Sequence, residues 1–133
     1  MGEFIGKWKL VDHKGLDIVL KALSVSEEEL KNLIKHATLE CSQPKNEHLR
    51  LNTNLPFFPG NAEFRIGEEF EQMWADQSTV KGIVEQPSPS KMIYTIKHPI
   101  TRVVINFELL DKDSVVAVIK CLGMKAQMNF RRV

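Results

Sequence analysis

The sequence predicts an all-β fold: a ten-stranded antiparallel up-and-down β-barrel (a β-clam) with a helix-turn-helix lid near residues 15–36, in one domain spanning residues 1–133. Three observations carry this reading. Short runs of strand-forming residues recur every eight to twelve residues between Gly, Pro, Asn and Asp turn signals. Helical periodicity is confined to one region near the start. The later strands have no room between them for crossover helices, so neighbours in sequence must be antiparallel neighbours in space. Closing such a meander into a barrel pairs the edges that would otherwise template aggregation. A barrel of this size can enclose a cavity.

Taken in order, the first strand is expected near 4–11. Leu16, Val19, Leu20 and Leu23 then recur at i, i+3, i+4 and i+7, giving a short helix one apolar face. Ser26 followed by Glu29 is a capping box for a second helix, whose inner face holds Leu30, Leu33, Ile34 and Ala37. The two helices are expected over 15–23 and 26–36, broken near Ser24-Val25. Glu27 stands four residues before Lys31, a helix-supporting pair, and the Glu27-Glu28-Glu29 cluster suits the positive end of the helix dipole. Further strands are expected near 38–43, 48–55, 61–66, 68–74, 78–85, 91–97, 101–110, 114–122 and 125–132. In the last, Ala126, Met128 and Phe130 share one face and Lys125, Gln127, Asn129 and Arg131 the other. An amphipathic helix pair must cover something apolar, and the barrel mouth is the natural surface.

A chain of 133 residues supports one core without covalent staples. Eighteen Lys and Arg against seventeen Asp and Glu leave a net charge of +1, which argues against the basic footprint of a nucleic-acid binder. Cys41 and Cys121 are too few for a disulfide framework and read as buried thiols of a reducing compartment. No apolar stretch approaches the ~20 residues of a membrane span. Met1-Gly2-Glu3-Phe4 lacks the basic start and apolar core of a signal peptide, and Gly6 stands where myristoylation wants Ser or Thr. The expectation is a cytoplasmic protein. His13, His36, His48 and His98 are scattered without metal-ligand spacing. Cys121, on an apolar strand, reads as a small core residue. With no nucleophile–base pattern and no phosphate-cradling glycine loop, the sequence predicts no enzyme, no catalytic residue, no metal and no cofactor.

Several motifs point further. Phe4-Ile5-Gly6-Lys7-Trp8-Lys9-Leu10 resembles the opening signature of the intracellular lipid-binding proteins, the fatty-acid-binding and cellular retinoid-binding group. Asp17 with Leu20-Lys21-Ala22-Leu23 and Val25 is similar to that family's helical lid. Phe64-Arg65-Ile66-Gly67-Glu68-Glu69-Phe70 resembles its mid-chain signature, continued by Ala75-Asp76 and Val80-Lys81. The terminal Phe130-Arg131-Arg132-Val133 is closer to the retinol-binding branch. The resemblance spans the whole chain and implies a lipid cavity beneath the lid, holding one small hydrophobic ligand without chemistry. It places the portal at Leu16, Leu20, Val25, Phe57, Ala75 and Asp76. It places the cavity wall at Thr53, Leu55, Gln72, Lys97, Asn106, Glu108, Ile119, Met128 and Phe130. Phe57-Phe58, between Pro56 and Pro59, reads as an apolar flap at that portal.

The chain also departs from the family. Fatty-acid binders of this kind grip the carboxylate with two arginines and a tyrosine, and the matching positions here hold Glu108, Met128 and Phe130. Pro87-Ser88-Pro89 lengthens one hairpin turn by about two residues. The family register turns Lys97 and Glu108 inward as a neutralised pair, which favours a ligand with a neutral head group. It also turns Tyr94, Ile96, Val103, Ile105, Phe107, Leu109, Val116 and Val118 outward. Alternation alone would put these apolar residues inside, and a one-residue slip separates the two registers. In the family register this outer face of strands 91–122 would be covered by a second copy in a two-fold homodimer. Lys14, Lys21, Lys31 and Lys35 suit transient contact of the lid with an acidic membrane, but the three glutamates beside them favour an ordinary solvated face. Two uses of the scaffold follow: a carrier of a fatty acid, retinoid or related lipid, or an interaction protein with a residual cavity that works through its apolar outer face. A secreted lipocalin is a third, disfavoured by the missing signal peptide.

Overall fold

The computed structural model describes residues 2–22, 26–45, 47–53, 61–73, 78–99 and 102–133. A 3-10 turn, Gly2–Phe4, leads into strand β1 (Gly6–Lys14), helices α1 (Leu16–Ala22) and α2 (Glu27–His36), and then nine more strands. These are β2 (Thr38–Lys45), β3 (His48–Thr53), β4 (Asn61–Phe64), β5 (Phe70–Met73), β6 (Thr79–Ser88), β7 (Lys91–Lys97), β8 (Arg102–Asp111), β9 (Ser114–Cys121) and β10 (Met124–Arg132). All lie in one antiparallel sheet ordered β4-β3-β2-β1-β10-β9-β8-β7-β6-β5. The sheet curls into the expected barrel, with β1 closing onto β10. Among the described residues no ladder joins its two end strands. The rings of Phe64 on β4 and Phe70 on β5 stack instead, 5.2 Å between centroids, and the Gly67 N–H donates to Val84 O at 2.8 Å.

Local chemistry explains the elements. Leu16, Val19 and Leu20 bury the inner face of α1. Ser26 caps α2, its hydroxyl accepting from Glu29 N at 3.2 Å. Glu27 pairs with Lys21 of α1 at 3.2 Å, tying the two helices across their turn. Gly15 has φ +78°, and a Cβ there would stand 3.0 Å from Lys125 O, so only glycine lets the chain turn into α1 so close to β10. In β1 the register shifts between Leu10 and Asp12, and Val11, the extra residue of this bulge, is 58% exposed.

The barrel's ends are locked at Arg132. Its guanidinium lies 4.2 Å above the Trp8 ring and donates to Ile5 O, Glu3 O and Lys112 O at 2.8, 2.9 and 2.8 Å. A Cβ on Gly6 would fall 2.4 Å from Arg132 Nη1, so the Gly-x-Trp opening leaves the space that the terminal arginine fills.

The register of β7 and β8 corrects the expectation taken from the family spacing. Tyr94, Ile96, Val103, Ile105 and Phe107 are buried in the interior, and Leu109 packs against them. Lys97 and Glu108 are exposed, and Asn106, between Ile105 and Phe107, takes the outer face. In β9 and β10 the expected faces hold: Ile119, Met128 and Phe130 are buried, and Val116 and Val118 are only half-buried. The difference is taken up in irregular pairings between Glu85 and Ser88, at the lengthened hairpin, and between Leu109 and Asp111. Energetics decide the outcome. Each large apolar side chain gains about 1.5–3 kcal/mol on burial, while a charge placed inside costs several. The apolar outer face proposed for a homodimer therefore loses most of its members, and the ground for that dimer goes with them.

Candidate functional site

Helices α1 and α2 connect the end of β1 to the start of β2, and so cover one mouth of the barrel. Beneath them the interior is lined by Leu39, Leu51, Met92, Tyr94, Ile96, Val103, Ile105, Phe107, Val115, Ala117, Ile119, Met128 and Phe130, all buried. Leu16 and Leu20 of α1 press on this core and expose none of their surface. Tyr94, Ile96, Ile105, Ala117, Ile119 and Met128 expose none either, so these described parts of the wall are shut off from water.

Polar groups inside are few. Among the described residues the buried polar side chains are Thr53 and Gln72, apart from the Tyr94 hydroxyl. Thr53 Oγ1 donates to Thr38 O at 2.6 Å. The Tyr94 hydroxyl donates to Gln72 Oε1, and burial pushes the phenol's pKa up, so it stays a protonated donor. Gln72 Nε2 is buried with no hydrogen-bond partner. Phe70 packs beside this pair, its ring 6.0 Å from that of Tyr94.

The Lys97–Glu108 pair expected inside is absent from the interior. Lys97 Nζ instead meets Glu69 Oε2 at 2.7 Å outside the barrel, and Glu108 lies opposite Lys91 across the β7–β8 ladder. Inward on β8 stand Ile105 and Phe107, and the charged residues of the strand, Arg102, Glu108 and Asp111, are exposed. Of the expected site residues, Leu16, Leu20, Thr53, Gln72, Ile119, Met128 and Phe130 are brought to the interior. Lys97, Asn106 and Glu108 are not. Val25, Leu55, Phe57, Ala75 and Asp76 lie outside the described residues, as does Phe58. The interior residues missed from the family spacing, above all Tyr94 and Phe107, carried a readable signal in the alternation of 91–97 and 102–109, interrupted at Ile93 and Val104.

No group of three or more His, Cys, Asp or Glu side chains capable of holding a metal occurs among the described residues. Cys41 and Cys121 are free buried thiols; burial pushes Cys41 up to about 11 and raises Cys121 as well. Neither is an activated nucleophile. No helix is long and apolar enough to cross a membrane among the described residues.

A lidded barrel with an apolar interior and a sparse set of polar groups is the architecture of a small-molecule binding barrel. No family model matches the chain. A 14 kDa fatty acid-binding protein of Schistosoma mansoni is 28% identical, over 100% of this chain and 99% of its own length. Cellular retinoic acid-binding protein 2 of Mus musculus is 30% identical over 95 residues, 70% of this chain and 69% of that protein. Among solved structures, the Schistosoma mansoni fatty acid binding protein in complex with arachidonic acid superposes with a TM-score of 0.83 at 28% identity, covering 100% of this chain and 98% of that one. Echinococcus granulosus fatty-acid-binding protein 1 shares the fold, with a TM-score of 0.82 at 17% identity over 100% of this chain and 99% of its own. The chain belongs to the family of fatty-acid-binding and cellular retinoid-binding proteins, as a divergent member.

Proposed function

We infer that this protein is a non-enzymatic, cytoplasmic carrier that holds one hydrophobic ligand, a fatty acid, retinoid or related lipid, inside the barrel. The observation that carries the reading is the interior itself, apolar among the described residues but for Thr53, Gln72 and the Tyr94 hydroxyl, and covered by an amphipathic lid. Burial supplies the affinity, at ~0.8 kcal/mol per CH₂ less the cost of ordering the ligand. Because these lining side chains are shut off from water, the ligand makes its room by displacing some of them. Met92 and Met128, long and unbranched, yield most readily. Leu16 and Leu20 on the lid, with Thr53, Gln72, Ile119, Met128 and Phe130 on the wall, form the described part of the site.

The family relationship supports this reading, since the named relatives are fatty acid-binding and retinoic acid-binding proteins. The exposed lysines Lys14, at the end of β1, and Lys21, Lys31 and Lys35, on the lid helices, together with the 58% exposed Ile18, suit transient contact with an anionic membrane as the ligand is delivered. The alternative, an interaction protein working through an apolar outer face, has lost its footing, because most of that face lies inside. Lipid extraction from the purified protein, followed by mass spectrometry and titration with fluorescent lipids, tests the carrier. Co-purifying lipid and saturable 1:1 binding are expected. No binding of any acyl chain, retinoid or sterol would overturn it.

A further inference from the structure

We propose that Gln72 Nε2, held in place by Tyr94, is the donor that receives the ligand's head group, and that it selects a neutral carbonyl, as in an ester or aldehyde, over a carboxylate. This rests on the carrier reading above and adds the class of ligand to it.

Gln72 on β5 and Tyr94 on β7 lie on either side of β6 and reach each other over Gly82. A Cβ at Gly82 would stand 3.5 Å from Gln72 Nε2 and 3.2 Å from Tyr94 Cε1, so glycine leaves the gap through which the two meet. The Tyr94 hydroxyl occupies Gln72 Oε1, which fixes the amide with its nitrogen pointing away. That nitrogen carries two N–H donors, has no partner, and belongs to a side chain only 9% exposed. Buried donors are nearly always satisfied, and one left open in the wall of a binding barrel is a place for an acceptor.

The chemistry of the acceptor follows from what surrounds it. No cationic side chain lies in the interior among the described residues, so a carboxylate would be buried without a counter-charge. An alcohol oxygen also accepts, but its own proton then competes with Tyr94 for Gln72 Oε1, whose second lone pair is the acceptor left on that amide. A carbonyl oxygen has no proton to place and matches a lone amide donor.

The test displaces the neutral apolar probe N-phenyl-1-naphthylamine from the full chain with oleate, oleyl alcohol and methyl oleate at neutral pH. Methyl oleate is expected to bind about tenfold tighter than oleate, and Gln72→Leu to weaken methyl oleate about five- to tenfold more than it weakens the probe. Tyr94→Phe frees the amide to rotate and is expected to give a smaller loss of the same kind. Equal affinities for the three lipids, or a Gln72→Leu protein that binds methyl oleate like the parent, overturn the head-group assignment and leave the carrier standing. Failure of the probe and of every lipid to bind overturns both. A second measurement needs no variant: the Gln72 side-chain amide protons are expected to shift downfield in the NMR spectrum when methyl oleate is added. An unmoved amide resonance in a saturated complex also overturns the assignment.

Discussion

Lys97 Nζ lies 2.7 Å from Glu69 Oε2 on the outside of the barrel, and Lys81 Nζ approaches the same carboxylate at 3.6 Å. This contact marks the register of β7, because the side chain next to Lys97 on the strand, Ile96, must then point inward. Lys97→Met is therefore expected to leave lipid affinity within about twofold of the parent, whatever the ligand's head group. A tenfold loss for an acid ligand would place the lysine inside.

The same pair sets an acid dependence. The hydrogen bond from Lys97, with its charge, holds the Glu69 carboxyl below the usual carboxylate range. A depressed carboxyl contributes stability that is present at neutral pH and is lost as pH falls through its folded-state value. Parent and Lys97→Met proteins are expected to differ slightly in urea unfolding at neutral pH and to converge in acid. A gap that persists unchanged in acid would show that the pair is not its source.

Phe107 and Val118 occupy opposite faces of neighbouring strands, one buried and one half-buried. Phe107→Glu puts a carboxylate into the apolar interior and is expected to cost at least about 4 kcal/mol, enough to unfold a protein of ordinary stability. Val118→Glu is expected to cost about 1 kcal/mol or less. Denaturant titrations of the two variants decide the orientation of β8 and β9, and the reverse ranking would restore the family register.

How much was legible divides along the same line. The helix pair, its Ser26 cap, the ten strands and the inward faces of β9 and β10 were readable, because each depends on local periodicity or capping chemistry. The faces of β7 and β8 were readable from alternation but misread from family spacing. A longer hairpin at Pro87-Ser88-Pro89 changes the count of residues without changing which side chains prefer water. The Tyr94–Gln72 bond was not legible, since it joins residues 22 positions apart and depends on the missing side chain at Gly82.

The Arg132 anchor predicts a stability effect separate from binding. Arg132→Lys loses the fork that serves three carbonyls and the flat contact over Trp8, and is expected to cost about 2 kcal/mol. Lipid affinity should change little at temperatures where the variant is folded. A variant as stable as the parent in thermal unfolding would mean that the C-terminal lock carries no weight.

Thiol reactivity reports whether the interior is closed. Cys41 and Cys121 are buried with raised pKa values, so a thiol reagent at neutral pH is expected to label neither in the folded protein and both in denaturant. Rapid labelling of the native protein would show a barrel wall more open than the packing implies.

The central claim is that a hydrophobic ligand is held inside the barrel, and methyl NMR during a lipid titration tests it most directly. With methyl oleate added to one equivalent, the resonances of Ile105, Ile119 and Met128 are expected to shift and saturate together, while Val116 and Val118 on the outer face stay where they are. Shifts confined to the outer valines, or interior methyls that never move, would contradict the account.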